Sequence, residues 1–271
     1  MIKLLKAAFF RLKKDVIFWL FIFLTIGMAG FTLFRYLSNE GVYLDKILNE
    51  FIMYIGLFIA IFVSIFVGKE YGQGIIRNKI IVGHSRISIF LSNLIISIVV
   101  SLLCELIYLI IVFLIGIPLF GQMQMSFSQF AIVLLNTALV IISFCSIYNF
   151  ITMICSEITI STTICIILFI VMFIVQGAFG LTAYANKYIE NAFYDENGNK
   201  HIISQELDPN YPGDEKVKQA RMIYLSIPQG QAMKIGGNDL TYSAQMAISS
   251  IILIGVVNIV GVCIFSKKEL K

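Results

Sequence analysis

Few residues in this sequence are equipped for chemistry, and their setting restricts what they can do. Glu105 stands in the middle of the apolar stretch 88–117, where an ionisable group is costly and marks either a functional position or a paired one. Ser97, Ser101 and Tyr108 share its helical face at steps of four and three residues. A polar stripe of this kind faces protein or water, so two readings stand. Either the stripe lines a translocation path or a seam between two membrane subunits, or Glu105 makes a structural hydrogen bond to a neighbouring helix. Asn136, Asn149, Gln176 and Asn258 also place amides inside apolar runs, where interhelical hydrogen bonding is the expected role. The pair Gly27 and Gly30 allows close helix approach in the first run.

Catalytic and metal chemistry find little support. The five cysteines, Cys104, Cys145, Cys155, Cys165 and Cys263, all lie in apolar runs without a CxxC pair, and His84 and His201 have no ligand partners nearby in sequence. No catalytic residue and no metal site is expected, and a membrane-embedded enzyme would need convergent acids and bases where only Glu105 is a candidate.

A second constellation is the polar loop 68–86. Gly68, Gly72, Gly74 and Gly83 frame the short amphipathic segment 75–82. In it Ile75, Ile76, Ile80 and Ile81 can form an apolar face while Arg77, Asn78 and Lys79 stay polar. A basic loop that only sets topology accounts for the charges. A short helix that docks into a groove on another protein accounts also for the glycine frame and the isoleucines.

The elements that must position these groups are membrane spans. Of 271 residues 59% are hydrophobic and only 13% charged, about half the charged fraction of an ordinary soluble domain. Six apolar stretches stand out, at 16–37, 51–67, 88–117, 130–153, 159–180 and 243–265, each near the roughly 20 residues that cross a bilayer. The first is long enough to span and lacks a clear cleavage site, so a removed signal peptide is not expected.

Basic residues gather beside alternate loops: Lys3, Lys6, Arg11, Lys13 and Lys14 before the first span, Lys69, Arg77, Lys79 and Arg86 between the second and third, and Lys267, Lys268 and Lys271 after the sixth. With six crossings all three groups share one side, which the positive-inside rule makes cytoplasmic together with both termini. This topology also explains the net charge of +4 without a nucleic-acid partner. The opposite side receives loop 38–50 with three acids against one lysine, the uncharged link 118–129 and the large loop 181–242. In that loop turn signals at 195–199 and 209–214 flank short helices expected over 184–194 and 215–225. Residues 1–15 form a basic amphipathic segment with apolar Ile2, Leu5, Phe9 and Leu12, the pattern of a helix lying in the membrane interface. It serves as an anchor, or also touches a cytoplasmic partner.

At the loop 68–86 the sequence resembles the membrane subunits of bacterial type-2 ATP-binding-cassette (ABC) transporters. In these the second span runs into F-x-G-x-E-[YF]-x-x-G-T-I-R-N-K-L-x-x-G-x-S-R. Phe66, Gly68, Glu70, Tyr71, Gly74, Ile76, Arg77, Asn78, Lys79, Gly83, Ser85 and Arg86 match, and Ile75 replaces the usual threonine, losing a helix-capping hydroxyl. The layout is similar too: an amphipathic elbow, six spans, and an external segment containing Pro228-Gln229-Gly230-Gln231, like the family's Pro-x-Gly-Gln stretch.

The resemblance implies an all-α permease in which the loop after span two, Ile80 included, is a coupling helix. Its partners would be two copies of an ABC ATPase subunit, a second permease subunit that is identical or homologous, and the lipid of a bacterial plasma membrane. ATP and magnesium would be held by the ATPase, because this chain has no G-x-x-x-x-G-K-[ST] phosphate loop and is itself neither an enzyme nor a cofactor carrier. Small permeases of this kind resemble exporters of hydrophobic or amphipathic peptides such as bacteriocins, lantibiotics and toxins, with drugs, lipids or glycans as other cargo. A membrane sensor or assembly subunit would show the same docking loop.

Overall fold

The structure, a computed structural model, describes residues 1–38, 42–194 and 200–268. The side chains of 190–203 are outside that description, as are the turn expected at 195–199 and Lys271 of the third basic group.

The chain opens with α1 (Ile2–Lys14) and turns at Asp15, whose extended backbone ends one helix and whose carboxylate accepts the Ile17 amide at 3.0 Å to cap the next, α2 (Val16–Tyr36). A single turn, α3 (Leu44–Leu48), leads into α4 (Ile52–Gly72), and the short α5 (Ile75–Ile81) precedes α6 (Arg86–Phe120). Ser85 caps α6 by accepting the Ser88 amide, and α7 (Phe127–Cys155) begins with a capping box between Ser126 and Gln129. After α8 (Ile158–Ala183) come β1 (Tyr188–Tyr194), β2 (Lys200–Leu207), α9 (Asp214–Ser226), α10 (Pro228–Gly236) and α11 (Ser243–Lys267).

Among the described residues six helices are long and apolar enough to cross a membrane, α3 and α4 being counted together as one crossing. At 35 residues, α6 is roughly 50 Å long, well beyond the hydrocarbon thickness, so it tilts or projects. The α3–α4 segment is the central span, with 67% of its apolar window buried, against 22% for α8 and 17% for α11. Its neighbours are α7, α8 and α10. Phe51 stacks on Tyr108 of α6, and Phe62 packs on Phe66 and on Phe21 of α2.

One sequence expectation is corrected in the region after α8. Residues 184–194 do not form a helix: from Tyr188 they form a strand, paired antiparallel with β2 from Tyr188 opposite Leu207 to Tyr194 opposite Lys200, with one irregularity at Asn191/Ala192. Aromatic and β-branched residues on both strands suit a pleated surface better than an isolated short helix. The fold is therefore that of an all-α membrane protein with one antiparallel strand pair added to it. The helix expected at 215–225 is α9, but it is followed by α10, of which nearly every residue is buried against the bundle. A Cβ on Gly230 would lie 2.1 Å from the Tyr224 carbonyl oxygen, so only glycine lets α9 and α10 meet there.

The bundle has two distinct ends. The loop carrying α5, the α7–α8 turn and both chain ends gather at one, the basic end: Arg86 Nη1 donates to the carbonyls of Phe265, at 3.3 Å, and Lys268, and Lys268 Nζ to that of Ile154 at 2.6 Å. At the other, Asp45 Oδ2 accepts the Gln124 and Met125 amides at 3.1 Å each, and Asn49 donates to Asn238 at 2.7 Å. In a background with Cys155 and Cys263 replaced by serine, a membrane-impermeant maleimide is expected to label Thr241→Cys in intact cells, and Arg77→Cys only after permeabilisation. Labelling of both from the same side would break the six-span topology.

Candidate functional site

The basic end is organised around Glu70, in the last turn of α4, which is fully buried. Arg11 Nη2 from α1 comes within 2.7 Å of its Oε1 and Lys79 Nζ from α5 donates to the same oxygen at 2.6 Å, while Asn93 Nδ2 from α6 donates to Oε2 at 2.8 Å. Four elements thus meet on one carboxylate. The Arg11 contact is one of charge more than of alignment, since its Nη2–H is not aimed at the oxygen, and the guanidinium rests over the Phe66 ring at 4.4 Å. Burial pushes the Lys79 ammonium below its ordinary pKa, and Glu70 opposes that shift.

This arrangement changes the reading of α5. Gly74 and Gly83 have φ of +66° and +94°, the left-handed conformations that let the chain turn sharply into and out of a seven-residue helix. Within that frame the residues do not divide into isoleucines on one face and polar groups on the other. Ile76 is buried and Ile80 packs on the core beside the inward-turned Lys79, whereas Arg77, Asn78, Ile81 and Val82 point outward, the last two 73% and 76% exposed. A helix this short cannot keep four isoleucines on one side at 100° per residue, and the buried carboxylate draws in the lysine.

The remaining loop residues tie α5's base to other spans. Gly68 lies in α4 against Ile158 of α8. Tyr71 donates to the Met153 carbonyl at 2.5 Å. Lys268 donates to the Met153 and Ile154 carbonyls, at 3.0 and 2.6 Å, and to Ser156 Oγ, placing a cation at the C-terminal pole of α7. Ser85 caps α6, and Arg86 holds the end of α11. Lys69 pairs with Asp15 at 2.8 Å, joining the end of α4 to the start of α2. Arg11, Asn93 and Lys268 were not singled out from the sequence. Arg11 could have been, because it shares a helical face with Leu4, Ala8 and Leu12, the residues that α1 buries. Of the apolar residues expected on α1, Leu12 is buried and Leu5 packs on the core, whereas Ile2 and Phe9 are exposed beside Phe10, so α1 has one face for protein and another open to its surroundings.

The polar stripe of α6 sits elsewhere. Ser97, Ser101, Glu105 and Tyr108 are all buried within the subunit. Ser97 donates to the Asn93 carbonyl at 2.9 Å, Ser101 accepts from Cys145 of α7 at 3.4 Å, and Tyr108 donates to the Ile47 carbonyl of α3 at 2.8 Å. Glu105 Oε2 is buried without a hydrogen-bond partner among the described residues. None of the four lies on the outer face of the bundle. Facing outward instead is an apolar groove of about 460 Å3 between α2, α4 and α8, lined by Met28, Phe31, Tyr54, Phe58, Phe169 and Phe173 among others. Among the described residues no three of His, Cys, Asp and Glu gather closely enough to hold a metal ion.

Compared with known proteins, the chain matches no family model and no curated sequence.

Removing one partner from a buried ion cluster leaves uncompensated charge. Glu70→Gln is therefore expected to lower unfolding stability in detergent by on the order of 3 kcal/mol. Adding Arg11→Met and Lys79→Met should recover part of that loss. A thermal midpoint unchanged by Glu70→Gln would show that the cluster does not hold the basic end together.

Proposed function

We propose that this chain is the permease subunit of a type-2 ABC exporter, energised by a separate ATPase subunit that docks on α5. The observation that carries this reading is the outward face of Arg77, Asn78, Ile81 and Val82 on a helix framed by Gly74 and Gly83 and tied to Glu70 beneath. Two exposed branched aliphatic residues beside an exposed arginine are the chemistry of a protein-docking knob, and their position matches the family's coupling segment. The basic end would be cytoplasmic by its lysines and arginines, which puts α5 on the side where ATP is available.

In this mechanism ATP binding draws two ATPase subunits together, α5 moves with them, and Glu70 passes the displacement to the elbow α1, the central span α4 and α6. The groove between α2, α4 and α8 offers almost only apolar surface, so its natural cargo is the apolar side of an amphipathic molecule, stabilised by burial at about 25 cal/mol per Å2. Hydrophobic or amphipathic peptides fit that chemistry. A second permease copy would face the lightly buried α8 and close the groove into a path.

The test is reconstitution in lipid nanodiscs with a co-expressed ABC ATPase subunit. Ile81→Asp and Arg77→Glu are expected to weaken the complex about tenfold or more, the loss typical of an interfacial hot spot, and to abolish permease-stimulated ATP turnover with the thermal midpoint unchanged. If both variants bind and stimulate as the native chain does, the coupling role fails. If the native chain binds the ATPase without altering turnover, a sensing or assembly subunit becomes the better reading.

A further inference from the structure

At the end of the bundle opposite α5, an open cleft of about 470 Å3 lies between α9 and the first turn of α11, lined by Val217, Lys218, Arg221, Met222, Tyr242 and Gln245 among others. Its charges do not cancel. The Asp214 carboxylate at its rim is already held by Lys187 at 2.8 Å and by the Tyr211 hydroxyl at 2.6 Å. Lys218 has no ion-pair partner among the described residues and is exposed. Arg221 donates Nε and Nη2 to the Ala183 carbonyl, at 3.3 and 3.0 Å, and Nη1 to the Tyr242 hydroxyl at 2.6 Å. These acceptors are neutral, so the guanidinium is positioned without being compensated, and two of its five N–H groups remain free. Two cations three residues apart on α9 thus face the start of α11, whose N-terminus has no side-chain cap.

Below these cations the surface becomes apolar. Val217 and Met222 line the cleft itself, and Ile248 and Ile252, three and seven residues beyond Gln245 on α11, continue its face at 59% and 60% exposure. Because α11 is one of the six membrane-length helices, that stripe runs through the hydrocarbon layer, while the Tyr211 and Tyr242 rings mark the level of the interface. A cationic head site directly above an apolar strip fits an amphiphile with an anionic head and an acyl tail.

We propose that this cleft binds the phosphate headgroup of an anionic phospholipid, whose acyl chain lies along Ile248 and Ile252. The assignment is independent of the transport reading, and is tested on the full chain alone. In nanodiscs, a Trp19→Phe, Ile248→Trp chain reports lipid contact through quenching by brominated acyl chains. Brominated phosphatidylglycerol is expected to be preferred over brominated phosphatidylcholine by roughly fivefold, the scale of one basic residue at a lipid surface. Lys218→Glu, an exposed position outside the core, should erase that preference with the thermal midpoint unchanged. Equal quenching by the two lipids, or a preference that survives Lys218→Glu, would overturn the proposal. So would loss of the preference on adding soluble glycerol phosphate, which would assign the cleft to a free anion, or on adding an acidic amphipathic peptide, which would assign it to cargo.

Discussion

A carboxylate with no access to water has to be surrounded by donors, and Glu70 obtains them from three other elements. Its burial would cost several kcal/mol if left uncompensated, so Arg11, Lys79 and Asn93 are not optional neighbours. Because each comes from a different helix, the electrostatic requirement also sets geometry. It decides how α1 lies against the bundle, which way α5 is rotated and where α6 begins to pack on α4. The rotation of α5 follows directly: with Lys79 turned inward beside Ile76 and Ile80, the residues left outside are Arg77, Asn78, Ile81 and Val82.

The opposite end, beside the Arg35–Glu50 and Lys234–Asp239 ion pairs, solves a different problem with neutral groups. There the chain returns into the bundle as α10, and side-chain amides satisfy the backbone carbonyls this brings together. Gln229 donates to the Met53 carbonyl at 3.0 Å, Gln231 to the Leu225 carbonyl at 2.6 Å, and Ser250 of α11 donates to the Gln231 side chain at 2.6 Å. Amides can satisfy buried carbonyls without the desolvation cost of an ion. That is why the Pro-Gln-Gly-Gln stretch, which looks like a loop motif, is instead the buried start of a helix.

The spans and their number were legible in the sequence because hydropathy acts locally. The glycine frame of α5 was legible for the same reason, since Gly74 and Gly83 mark turns whatever they pack against. Contacts between distant segments were not. Nothing near Lys79 in sequence announces that its partner is nine residues back on the preceding helix and buried, nor that Arg11 reaches the same oxygen. Periodicity correctly put Ser97, Ser101, Glu105 and Tyr108 on one face of α6, but it could not say that α3 and α7 cover most of that face. The strand β1 was misread as a helix because its partner lies beyond a turn, and strand pairing is a non-local property that a seven-residue window does not contain.

The uneven burial of the spans bears on how such a bundle could move. The α3–α4 segment is gripped on most sides, whereas α8 and α11 leave most of their surface open. A rigid central rod with looser flanks transmits displacement along the rod more readily than across it. On the proposed function, a force applied at Ile81 and Val82 meets α5, passes through the short Lys79–Glu70 contact and enters α4 at its last turn, with Arg11 carrying α1 along. The groove lined by Tyr54 and Phe58 of α4 and by Phe169 and Phe173 of α8 lies further along the same rod. Movement of α4 relative to the loosely held α8 would change the groove's width directly, without any intermediate element. On the proposed function, the same buried carboxylate that anchors the basic end is also the point at which a surface contact becomes a motion between spans.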